Sequence, residues 1–105
     1  MAWLLLAGAA VCEIVFAMAM KQSNGFTRLV PSILVLVGGV GGVVLLTFAL
    51  KSLPVSIGYP IWTGVGMVGT VLLGALMLGE GLSVAKVIGV LLLIAGVVTL
   101  YAQSS

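Results

Sequence analysis

Histidine is missing from this 105-residue chain, cysteine occurs once, and only two side chains are acidic. A lone Cys12 cannot close an intrachain disulfide, and two carboxylates without histidine cannot assemble a metal cage. Charge of either sign is scarce: charged residues make up 6% of the chain against 63% hydrophobic, and the mean hydropathy is +1.46. Such a composition excludes a water-soluble fold and identifies an integral membrane protein. No enzymatic chemistry, cofactor or nucleic acid partner is expected, and the lipid bilayer is the first partner.

The length accommodates four spans of about 20 residues with short connections. The expected fold is therefore all-α, a single four-helix membrane domain over 1–105 with spans near 3–21, 31–50, 55–78 and 85–102. No basic segment precedes the first apolar run and no small-residue cleavage site follows it. A central Glu would also spoil a signal sequence, so this span is expected to stay in the mature protein.

What the chain does contain is a carboxylate where one is least expected. Glu13 lies near the middle of the apolar run Trp3 to Met20. An ionised side chain at the centre of a membrane helix costs roughly 2.5–3.5 kcal/mol on insertion scales, so Glu13 is read as the functional site. At helical spacing its face carries Leu6, Ala9, Ala10, Phe16, Ala17 and Met20, a strip that admits another helix or a ligand. Trp3 and Lys21 bound the span as interfacial residues.

Ser23, Asn24 and Gly25 mark the first loop, and Pro31 is expected to open the second helix. Gly38, Gly39, Gly41 and Gly42 lie inside that helix, where they permit close backbone approach or leave space for a bound molecule. The short connection Lys51 to Pro54 implies that the second and third spans are antiparallel neighbours. In the third span Ser56, Tyr59, Thr63 and Gly66 share a face with Trp62 beside them. Pro60 removes an amide donor, and Gly64, Gly66 and Gly69 soften the helix further, which marks a candidate hinge. Glu80, between two glycines, reads as a solvated loop charge. Gly89 and Gly96 in the fourth span form a small-residue stripe suited to a helix contact, with a second copy as the expected partner.

Taken together, Cys12-Glu13-Ile14, Lys21 with Gly25-Phe26-Thr27-Arg28-Leu29, Lys51-Ser52-Leu53-Pro54, and Tyr59 with Trp62-Thr63-Gly64-Val65-Gly66 make the chain resemble the small multidrug resistance transporters over essentially its whole length. The resemblance implies a proton-coupled exporter in the inner membrane of a bacterium, working as an antiparallel dimer. It implies that Glu13 binds protons or a cationic substrate in turn, with Tyr59 and Trp62 as binding-site aromatics. Gly64 to Gly66 would be the bend of the third helix, and Gly89 with Gly96 the dimer contact.

Within that family one branch exports guanidinium and another exports lipophilic quaternary ammonium compounds. Lys51-Ser52-Leu53-Pro54 and Trp62-Thr63-Gly64 lean to the first. Phe16 stands where that branch usually has Trp, however, and Gly42 stands where it has a hydroxyl. The second branch places aromatics where this chain has Gly39 and Val43, and Pro60 replaces a small residue. With Phe16, Gly39 and Gly42 widening the site and Ser56 and Thr63 as its hydroxyls, substituted hydrophobic cations are expected beside guanidinium. A paired unlike subunit, a small channel and a structural membrane protein are the alternatives.

Overall fold

The computed structural model describes residues 1–103; Ser104 and Ser105, the end of the expected domain, lie outside the described residues. Four helices follow one another: α1 (Ala2–Gln22), α2 (Leu29–Ala49), α3 (Val55–Met77) and α4 (Val84–Gln103). Each is long and apolar enough to cross a membrane, and each falls within about two residues of its expected span. Among the described residues there is no strand. With no water in the hydrocarbon to satisfy amides, helices that bond internally are the form such sequences must take.

The connections follow local chemistry. Ser23, almost fully buried, donates its hydroxyl to Met20 O (2.8 Å) and accepts from the Phe26 amide (3.1 Å). Asn24, Gly25 and Phe26 then run through three consecutive left-handed residues. The helix after this loop begins two residues before Pro31, with Arg28 extended as its N-cap. Pro31 still falls in the first turn, where an amide has no helical partner to lose. At the third loop Gly79 and Gly81 both take positive φ (67° and 68°), a conformation glycine adopts without steric penalty.

Packing departs from the chain order. α2 lies along α1, α1 also packs on α3, and α3 packs on α4, whereas α2 meets α3 sparingly. The short second connection does not make α2 and α3 packed neighbours. Gly38 explains why: a Cβ there would stand 3.0 Å from Cys12 O and 3.1 Å from the Phe16 amide nitrogen, so α2 seats its glycines directly on the backbone of α1. The result is a slab measuring 43 × 34 × 16 Å in the order α2, α1, α3, α4. Its buried hydrophobic core joins Leu6, Ala9, Leu46, Ala49 and Ile61, at the end that carries the second loop.

α1 and α3 run in the same direction, and their contacts keep a steady register. The Trp62 indole donates to Ala9 O (3.0 Å), Glu13 meets Gly66, and Ile14 meets Gly69. α3 continues through Pro60 without interruption. Gly64 receives Val97 of α4, so the softened stretch of α3 is also the surface on which both neighbouring helices seat.

Candidate functional site

Glu13 is the twelfth residue of the 21-residue α1, near its middle, and the register with α3 sets its carboxylate against Gly66. A Cβ at Gly66 would overlap Glu13 Oε2 outright. The absence of a side chain at Gly66 is what lets the carboxylate lie there. Oε2 is buried and finds no hydrogen-bond donor among the described residues. A carboxylate oxygen in apolar surroundings without a donor is a strong acceptor awaiting a proton or a cation.

Beside it opens a cavity of about 440 Å³ lined by Glu13, Phe16, Ala17, Met67, Thr70 and Leu93, among others. Its walls are almost wholly apolar, so Glu13 supplies the charge and the surroundings supply shape and desolvation. Thr70 turns its hydroxyl back to Gly66 O (2.8 Å), which satisfies it within α3. Phe16 both lines this cavity and covers Gly39, whose Cβ would stand 3.1 Å from the ring.

The aromatic pair sits one turn away. Tyr59 and Trp62 meet edge to face with centroids 5.3 Å apart, and the indole is tethered to Ala9 O, one helical turn before Glu13. Trp62 lines a different, apolar cleft of about 370 Å³ with Trp3, Ala10, Val98 and Tyr101. Tyr59 is half exposed. Ser56 is exposed near the start of α3, and Thr63 donates to Tyr59 O and Pro60 O of its own helix (both 3.1 Å). Within one chain, then, the expected site residues divide: Glu13, Phe16 and Gly66 are together, while Tyr59, Trp62, Ser56 and Thr63 lie toward the second loop.

The glycines of α2 do not line the Glu13 cavity. Gly42 faces α1, where a Cβ would stand 3.3 Å from Cys12 Cβ. On α4, a Cβ at Gly89 or Gly96 would meet no atom of the described residues within 4 Å; Gly96 is exposed, while Gly89 borders a cleft between α3 and α4. Reasoning from sequence overlooked Met67, Thr70, Val71 and Leu93. The signal for Thr70 was present: it extends the face of Ser56, Tyr59, Thr63 and Gly66 by one more turn.

The family model described as Small Multidrug Resistance protein matches residues 1–93. A guanidinium exporter of Yersinia pseudotuberculosis is 45% identical over 100 residues, covering 95% of this chain and 96% of that protein. Guanidinium exporters of Salmonella typhimurium and Citrobacter freundii are 42% and 39% identical, each over 95% of both chains.

Proposed function

The chain belongs to the small multidrug resistance family, and from that premise we propose that it is a proton-coupled antiporter exporting small organic cations. Its multi-pass fold places it in the bacterial inner membrane. The substrates are guanidinium ions, including alkylated and aromatic derivatives, together with quaternary ammonium compounds. The observation that carries this reading is the Glu13 carboxylate, held against Gly66 with a buried oxygen that has no donor among the described residues, at the wall of an apolar cavity.

Exchange follows from one site with two exclusive occupants. A proton on Glu13 removes the charge that holds a cation, and a cation on Glu13 excludes the proton. If the protein changes its accessible face only when occupied, inward proton flow drives outward export. A planar guanidinium matches the two oxygens of a carboxylate in a fork. Apolar walls then favour substituents on that head group, and tetraalkylammonium ions, which need no hydrogen bonds, are accepted by the same walls. Tyr59 and Trp62 contribute ring faces to cations held near the second loop.

The working unit is an antiparallel homodimer. A layer 16 Å thick leaves its broad faces without protein cover, and a second copy in the opposite orientation supplies the missing wall and a second Glu13. Transport currents in proteoliposomes, recorded from guanidinium through phenylguanidinium to tetraalkylammonium under an imposed pH gradient, test this function. Uptake of both substituted guanidinium and quaternary ammonium, coupled to proton counterflow, is expected. Strict preference for bare guanidinium would overturn the substrate range, and sustained current without proton movement would replace the antiporter with a channel.

A further inference from the structure

Glu80 is exposed, as its loop suggests, yet it also touches the helix before it. The loop folds back on the end of α3: the Glu80 amide donates to Gly74 O (3.2 Å), and a Cβ at Gly74 would stand 2.6 Å from Glu80 Oε1. Gly66, Thr70 and Gly74 lie at successive turns on one face of α3. The first receives the Glu13 carboxylate and the last receives that of Glu80. The two acidic residues of the chain therefore bracket one helix face, about 12 Å apart along the helix. A second cavity, about 530 Å³, reaches from Glu80 and Lys86 down between α3 and α4 to Gly89. Thr70, Val71 and Leu93 line both this cavity and the one at Glu13.

We propose that Glu80 is an outer cation site, and that organic cations reach Glu13 from it through the α3–α4 cleft past Thr70. The proposal rests on the antiport reading of Glu13 and adds the route by which its substrate arrives. One carboxylate stands here with two ammonium groups near it, so a cation stops at Glu80 only by displacing one of them. Lys86 Nζ is engaged by backbone, donating to Glu80 O (3.2 Å) and Gly81 O (3.0 Å), which leaves the carboxylate itself to Lys21 from α1. Lys21 Nζ stands 4.0 Å from Glu80 Oε2, at the outer limit of an ion pair, and both side chains are substantially exposed. An incoming cation displaces Lys21 from the carboxylate at little expense, since exposed ion pairs contribute little. The cavity beneath has more polar lining than the one at Glu13, so a cation sheds its water in two stages rather than one.

Thiol labelling tests the route without requiring transport. Thr70→Cys is introduced in a Cys12→Ala background of the full chain and treated in detergent with a cationic methanethiosulfonate reagent or a neutral one of similar size. The cationic reagent is expected to label it, and Glu80→Gln to slow that reaction about tenfold at low ionic strength while leaving the neutral reagent unaffected. Glu80→Asp should retain most of the rate, and high salt should shrink the difference. Val71→Cys, on the same shared wall, serves if Thr70→Cys does not fold. In transport, Glu80→Gln should raise KM with the maximal rate held. Absence of labelling at both positions, or equal labelling with and without the Glu80 charge, would overturn the proposal. Because labelling needs no proton exchange, a failure of the antiport reading would appear separately, as wild-type protein that labels normally but does not couple to protons.

Discussion

Gly66 matters for the side chain it lacks. Gly66→Ala places a methyl where Glu13 Oε2 now lies, and the carboxylate, the flexible end of a long side chain, must swing away while the helices stay in place. The protein is expected to fold, but with cation affinity reduced on the order of 100-fold, because the charged group is displaced by about an ångström from its working position. Binding titrations on the purified protein measure this, and unchanged affinity would contradict the placement. Trp62→Phe removes the indole bond to Ala9 O and keeps the ring against Tyr59. It should lower stability by about 1 kcal/mol in thermal unfolding in detergent. Glu13 was legible in the sequence because a charge in an apolar run stands out by its cost. Its seat was not legible, since Gly66 carries no side chain to announce a contact and its role depends on the register of two helices distant in sequence. Glu80 is exposed as its place between two glycines suggests, but its contact with Gly74 was not legible, because it depends on the turn those glycines make.

Between elements, the α1–α2 seam distinguishes glycines that matter from those that do not. Gly38→Ala would drive a methyl against backbone atoms of Cys12 and Phe16, which cannot yield, at an expected cost of about 1–3 kcal/mol. Gly41→Ala meets Cys12 Sγ at an ordinary 3.6 Å and should be nearly neutral. Unfolding of both variants in detergent would show the contrast, and equal stability would contradict the close seam. The four helices and their limits could be read from hydrophobic runs, because apolar length and loop chemistry are local properties. Their lateral order could not. A short loop brings two helix ends together without requiring the helices to pack along their lengths, and the α2 glycines make α1 the better partner. Gly96→Leu tells the same story outward: exposed and with no atom of the described residues within reach, it should leave the folded chain intact and weaken self-association, measurable by cross-linking.

For the whole molecule, a thin slab and a nearly even charge distribution belong together. Lys21, Arg28 and Lys86 lie on the face with the first and third loops, against Lys51 and the amino terminus on the other. So small an excess of positive residues orients a chain weakly, and insertion both ways is expected. Single cysteines in the loops, labelled from each side of the membrane, should react from both; uniform orientation would require an unlike partner instead of a second copy. The account as a whole stands on Glu13 exchanging protons for cations. Its most direct test is proton release from detergent-solubilised protein at low buffer capacity on addition of phenylguanidinium. Wild-type protein should release protons and the Glu13→Gln variant, folded and still self-associating, should release none. Release of the same size from Glu13→Gln would contradict the account, because the exchanging proton would then reside on another group.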